Sequence, residues 1–540
     1  MAYVSLQFVI FTAAVTAIYF LFPVRKYQWT VLLAADYFFY LYSGYKYAIF
    51  IIFTTATIYL AGKAIGRSQE TEKETLKLKK AEWGREEKKA FKAGVKRRQR
   101  TVLALALIAN FGILIFLKYS NFIAGGLNQL ISPGTGSGPI PMLKLFLPLG
   151  ISFYTFQAAG YLIDVYNATI APEKNFFKFA LFISFFPQIV QGPISSFGQL
   201  GSQLFAEHRP EFARFKAGLE LILWGYFKKM IIADRAVIAI NTVTADYAKY
   251  SGTVILATAL LYALQLYADF SAGIDISRGI AQMLGIDMVQ NFRRPYFATS
   301  INDYWRRWHI SLGTWMKNYI FYPVAMSKLF LGWSKKMKAS SFGKTAAGAY
   351  VAKVLPTAFS SMIVFLVVGL WHGANAKYVA FGIWNGGIIM LSILLKPVFD
   401  RLCEALRIRT ESFAWRVFRI LRTFVIVLIG YYFDIAPGFR GALDMMRRSI
   451  TDLHLRGGIS LMRGLGLGKS DWAILAFGAL TIFVTSVIGE KHGYEFPGEM
   501  LEKRSFALRW MVLFASMVLV AVWGIYGPGY DPAEFVYMQF

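Results

Sequence analysis

Runs of about twenty apolar residues, parted by short basic loops, constrain this chain more than any other feature. A run of that length is long enough for a helix to cross a bilayer, at about 1.5 Å of rise per residue. Thr101–Ile123 is one such run, and Val254–Asp275 and Trp472–Ile488 are others of similar character. The 540 residues are 56% hydrophobic and 16% charged, with mean hydropathy +0.45. Average soluble domains carry about 25% charged residues. The fold class expected is all-α: a polytopic integral membrane protein, one membrane domain over residues 1–540. No soluble domain and no internal repeat stands out.

Basic residues set the expected topology. The net charge is +27, from 58 basic and 31 acidic residues. This charge sits mostly in loops between apolar runs, so it points to orientation and to anionic lipid headgroups. The partner expected is the lipid bilayer, with no nucleic acid. The first span, about Tyr3–Pro23, has no basic segment before it and has Arg25 and Lys26 after it. A cleaved signal peptide is therefore not expected, and the N-terminus should face out. Spans near Trp29–Tyr42 and Ala48–Ile65 lead to a highly charged stretch, Arg67–Arg100, expected as a cytoplasmic helical arm. The breaker cluster Ser132–Pro139 should lie outside. About thirteen apolar segments are visible, with ten to twelve expected to cross. Lys328–Lys353 should be a cytoplasmic loop. The single cysteine, Cys403, excludes an intrachain disulfide and a multi-cysteine metal site.

One stretch does not fit this pattern. Asn291–Val324 reads NFRRPYFATSINDYWRRWHISLGTWMKNYIFYPV. It is too polar for an ordinary span and lies between apolar ones. Ser300 and Asp303 form a capping box. Trp305, Trp308, His309, Leu312 and Trp315 then fall close to one helical face. The helix should lie at the interface or re-enter the protein interior. Downstream, VGLWHGAN places His372 at the end of an apolar run, before a helix-breaking Gly373 and the amide Asn375. His208, His454 and His492 lie in charged or Gly-rich loops and read as surface residues.

Polar groups inside apolar segments include Gln157, Asp164, Gln188, Gln191, Gln265, Asp269, Asp275 and Asn385. At membrane depth such groups face a protein interior or a cavity. Asp269 and Asp275 suit acid–base work, a cation site or a proton path, or they pair with Arg278, Arg293 or Arg294. A metal is not expected, because no two histidines have a ligand spacing such as HxxxH. Phosphate-loop, HExxH and GxSxG patterns are missing too. Imidazole titrates near pH 6.5, so a neutral His372 can accept a proton at physiological pH.

Several segments together carry a family resemblance. They are LPLGISFYTFQAAGYLIDVY (Leu147–Tyr166), FPQIVQGPISSF (Phe186–Phe197), LQLYADFSAGIDISRGIAQMLGI (Leu264–Ile286), the stretch Asn291–Val324 and VVGLWHGANAKYVAFGIWNG (Val367–Gly386). The chain resembles the membrane-bound O-acyltransferases, MBOAT, of the bacterial alginate O-acetyltransferase branch, and the related teichoic-acid D-alanyl transferases. The resemblance covers 145–395, which it implies is the catalytic core. It implies a multi-helix bundle around a central tunnel, with re-entrant and interfacial helices, in a bacterial cytoplasmic membrane. It also implies acyl transfer from a cytoplasmic thioester donor, acetyl-CoA or a phosphopantetheine carrier, to a hydroxyl outside, and no bound cofactor. His372 matches the catalytic histidine of the family and His309 its second histidine. Lys317–Asn318 departs from the usual Arg-Asp.

The residues fit that chemistry. His372 is expected as the general base. His309, Asn375 or backbone amides after Gly373 would serve the developing oxyanion. Arg306 and Arg307, with Arg293 and Arg294, would attract a phosphate-bearing donor or contact headgroups. Trp305, Trp308, Asp269, Asp275 and Gln191 complete the expected substrate- and donor-binding set. The expected activity is O-acyl transfer, most simply acetylation of a cell-surface polysaccharide, with an acyl carrier inside and a secreted or membrane-anchored acyltransferase partner outside. D-alanylation of teichoic acid is the alternative within the class, and a transporter or flippase the alternative outside it.

Overall fold

The computed structural model describes residues 1–132, 138–143, 145–454 and 464–526. Of the loop expected at Ser132–Pro139, residues 133–137 lie outside that set. Most of the described residues are helical, with no strand among them. Seven of their helices are long and apolar enough to cross a membrane by length and composition. Other expected spans form shorter helices, such as Leu6–Leu21 and Ile151–Tyr166. The apolar stretch Val417–Phe433 lies within the helix Phe413–Ile435, which carries Arg416, Arg419 and Arg422 on its first turns.

The chain forms two compact units, Met1–Leu219 with Ser277–Val289 and Glu220–Ile276 with Gln290–Phe540. In the first, the polar residues found in apolar runs tie the main chain together. Asp36 accepts from Phe186 N at 2.7 Å and from Ser184 Oγ at 3.1 Å. Gln157 donates to Phe182 O at 2.7 Å, and Gln188 donates to Gln157 Oε1 at 2.8 Å. Buried amides and carboxylates are costly unless bonded, and here they close a helix break. The charged stretch 67–100 is carried by two long helices, Ala48–Leu78 and Arg85–Ile131, with a break between them. His208, expected at the surface, is half-buried and bonded to Tyr19 Oη at 2.8 Å.

In the second unit, the helices Ala346–His372 and Ala376–Leu394 form a tight hairpin. Small residues let the backbones approach closely, as in membrane helix pairs generally. A Cβ on Gly382 would lie 2.5 Å from Phe365 O, and one on Gly369 would meet Tyr378 O.

Asp269 and Asp275 sit on the part of the long helix Gly252–Met283 that belongs to this unit. Their partners are lysines rather than the arginines expected from the sequence. Lys229 Nζ lies 2.7 Å from Asp269 and 3.0 Å from Asp234. Lys228 Nζ lies 2.7 Å from Asp275 and donates to Ser271 Oγ at 2.7 Å. Both lysines are buried and sit in a π-helical turn, Phe227–Ala233. An ordinary helix sets neighbouring residues about 100° apart. The wider turn accompanies two consecutive lysines that both reach aspartates of the same helix.

Candidate active site: two histidines and two cavities

Ser300 accepts from Asp303 N at 3.1 Å and opens a helix where the capping box predicts one. That helix is only Ile301–Trp305. A second helix, Ile310–Met316, starts at His309, whose φ of 46° is left-handed. The single amphipathic face expected from Trp305 to Trp315 is therefore broken at Arg306–His309. The reason is Asn291. Its main-chain carbonyl accepts from Ile310 N at 3.0 Å, and its Oδ1 accepts from Ser311 N at 2.8 Å. A left-handed residue other than glycine costs about 1–3 kcal/mol, so these bonds hold a strained turn.

The same Asn291 Oδ1 lies 3.3 Å from His309 Nδ1. An oxygen that already accepts from Ser311 N accepts from the ring as well, so the assigned tautomer of His309 is Nδ1–H. In the neutral ring Nε2 is then an acceptor. His309 is 1% exposed, with Phe270 edge-on at 4.8 Å and Trp371 at 6.1 Å. It lies outside the candidate spans. Burial, with a smaller contribution from His372, pushes its ring down to about 3. The oxyanion role expected for His309 needs an N–H donor. In this tautomer the ring N–H is the one turned toward Asn291.

His372 ends the helix Ala346–His372 and is 7% exposed. Its ring is packed by Trp371 and Phe381, each at 5.2 Å, and by Tyr378 at 6.1 Å. Gly373 is extended, with φ 174°, so no left-handed turn requires it. Its missing side chain makes room for the Tyr378 ring, which a Cβ would strike. Asn375 accepts from Lys377 N at 3.0 Å and caps the next helix.

The two histidines line different cavities. His309 lines one of about 550 Å³, with Trp305, Arg306, Lys317, Phe365 and Val368. That volume is in the range of small-molecule sites, about 300–1,000 Å³. Its wall follows one helix from Thr357 to Val368, roughly 16 Å of rise. His372 lines one of about 20 Å³, with Tyr304, Trp308, Asn385, Tyr431 and Asp434. That is room for one water-sized group. Trp305 lines both cavities.

The other expected residues separate. Arg306 lines the large cavity, with a side chain 73% exposed. Arg307 is held by Glu490 at 3.0 and 3.2 Å and by Asp303 at 3.2 Å. Arg294 shares Glu490 at 3.1 Å. Trp308 stands with His372 in the small cavity, and its ring stacks on Tyr304 at 5.7 Å. Gln191 is fully buried in the first unit, and its side-chain amide has no partner among the described residues. No group of three or more His, Cys, Asp or Glu suited to a metal occurs among the described residues. Sequence reasoning missed Asn291, Asp434 and the Lys228–Lys229 pair. Only the lysines left a signal, two adjacent charges inside WGYFKKMIIA.

Residues 173–338 match the model of MBOAT, the membrane-bound O-acyltransferase family. The match includes His309 and ends before His372. The chain is 32% identical to a probable alginate O-acetylase AlgI of Pseudomonas syringae pv. tomato, over 61% of this chain and 56% of the relative. It is 32% identical to a peptidoglycan O-acetyltransferase of Helicobacter pylori, over 55% of each. It is 25% identical to a teichoic acid D-alanyltransferase of Bacillus subtilis, over 45% of this chain and 58% of the relative. The chain thus spans little more than half the length of these curated relatives. With seven helices able to cross a bilayer among its described residues, the chain is a multi-pass membrane protein, and a segment of it that includes His309 matches the model of the membrane-bound O-acyltransferase family.

Proposed function

We propose that this protein is a membrane O-acyltransferase that moves an acyl group, acetyl in the leading reading, from a cytoplasmic thioester to a hydroxyl outside. The acceptor is a cell-surface polysaccharide, or a relay partner that passes the group on. The observation that carries this reading is the pair His309 and His372, each lining its own cavity, with Trp305 common to both. The large cavity suits the donor, with Arg306 and Lys317 as cations for phosphate. His309 Nε2 suits an N–H or O–H of that donor. His372 is the base. It takes the proton of the acceptor hydroxyl as the oxygen attacks the thioester carbonyl. A C–O bond forms, the C–S bond breaks, and the imidazolium returns its proton to the departing sulfur. The names of the relatives support acetyl as the group and a glycan as the acceptor. Lys317–Asn318, where the chain departs from the acetyltransferase pattern, leaves a second reading, D-alanyl transfer from a carrier protein.

The test uses purified protein in lipid nanodiscs with labelled acetyl-CoA and, separately, a D-alanyl carrier thioester. An oligosaccharide serves as acceptor. Wild type should transfer acetyl, and His372→Ala should lose at least the about 10²–10⁴-fold that a general base supplies. Use of the D-alanyl thioester alone selects the second reading. Near wild-type turnover in His372→Ala, or no acyl transfer from any thioester, overturns the proposal.

A further inference from the structure

The small cavity of His372 holds a second titratable group that the chemistry above does not use. Asp434 lies on the last turn of the helix Phe413–Ile435 and lines the cavity that His372 also lines. Its Oδ1 is shut off from solvent, and none of the described residues donates a hydrogen bond to it. A buried carboxylate oxygen left in this state costs free energy unless something fills it. The nearby ammonium is engaged elsewhere. Lys377 Nζ donates to the main-chain oxygens of Asp434 and Ala436, each at 2.8 Å. Those bonds fix the end of the helix and leave the carboxylate group to the cavity.

Four other polar side chains of the cavity, Tyr304, Tyr431, Asn385 and Trp305, are engaged in hydrogen bonds. Tyr304 Oη and Tyr431 Oη share a bond of 2.7 Å. Asn385 donates to Phe381 O at 2.9 Å and accepts from Trp305 Nε1 at 3.3 Å. Within a space for one hydroxyl or water, His372 and Asp434 are the pair with chemistry to offer.

We propose that Asp434 is a positioning residue for His372, a carboxylate that lines the same water-sized cavity as the imidazole and stabilises the imidazolium formed in acyl transfer. This rests on the reading of His372 as the base. The proton goes from the acceptor hydroxyl to His372 and on to the leaving sulfur. A negative charge beside an imidazole favours its charged form, and one held in a shielded site does so strongly. The charged and titratable groups around the ring are Asp434, Lys377, Tyr304, Tyr378, Tyr431 and His309. Lys377 opposes the effect, and its ammonium is drawn toward two carbonyls rather than toward the ring.

The experiment compares wild type, His372→Ala and Asp434→Asn in nanodiscs, with acetyl-CoA and an oligosaccharide acceptor. Asp434→Asn should lower kcat at least tenfold, leave the KM for acetyl-CoA within twofold and keep the melting temperature. Its kcat/KM profile should also shift. Loss of the carboxylate lowers the pKa of the base, so the acidic limb should move to lower pH. A purely structural role would not move that limb. Should Asp434→Asn fail to accumulate, Asp434→Ser is read the same way. Turnover and an acidic limb equal to wild type, beside a dead His372→Ala, overturn the Asp434 assignment alone. A wild type that transfers no acyl group overturns both readings.

Discussion

Trp305 donates its indole N–H to Asn385 Oδ1 at 3.3 Å, and the ring so held lines both the cavity of His309 and that of His372. Phe365, at 4.9 Å from the indole, braces its other side. Asn385 sits on the hairpin that carries His372, and Trp305 on the short helix that precedes His309. One hydrogen bond thus fixes the wall that the two histidines share.

Removing that wall should let water reach the donor. Trp305→Ala is expected to lower acyl transfer about tenfold and to raise donor hydrolysis without acceptor, because a closed site excludes water. Trp305→Phe keeps most of the ring and should change hydrolysis much less. Free acetate and transferred acetate would be measured in one reaction. An unchanged ratio in Trp305→Ala would remove the partition role.

The buried lysines should be structural. Lys229→Met leaves Asp269 and Asp234 without the ammonium at 2.7 and 3.0 Å. Breaking a buried pair from one side costs about 3–5 kcal/mol, so the variant should melt several degrees lower in detergent. Lys229→Met with Asp269→Leu should recover part of the loss. Asp275→Asn tests the neighbouring pair. If it kept its melting temperature and lost all turnover, Asp275 would belong to the chemistry instead.

His309 should make the fold sensitive to acid. Its folded value is about 3, while an unfolded histidine titrates near 6.5. The unfolded chain therefore takes up this proton first as the pH falls. The stability from a neutral His309 is complete above about pH 6.5 and is lost progressively toward pH 3, at about 1.4 kcal/mol per unit. Asparagine tolerates the left-handed turn and does not titrate. His309→Asn should thus flatten the fall in melting temperature between pH 7.5 and pH 4.5. An identical fall in both proteins would show that other groups cause it.

What was legible in the sequence follows from where the physics is local. Apolar runs and low charge give a helical membrane protein because backbone satisfaction in lipid needs nothing beyond the run itself. Ser300 and Asp303 open a helix for the same reason, since the cap closes within one turn. The WRRWH and WHGAN segments could be singled out because they break the surrounding hydropathy.

Tertiary structure decided the rest. The periodicity from Trp305 to Trp315 describes one helix, yet Asn291, eighteen residues before His309, breaks it and turns the imidazole. No local rule reports a side chain that arrives from outside the segment. The aspartates at 269 and 275 announced that partners exist. Only the fold chose Lys228 and Lys229 over the arginines, because their distance along the chain says nothing about distance in space. Gly373 read as a helix breaker, and the helix does end at His372; only the structure shows that the missing side chain is also a gap for the Tyr378 ring. Asp434 carries no motif at all. Its place beside His372 exists only because the helix Phe413–Ile435 packs against the hairpin, and packing between distant helices is what the linear sequence does not display.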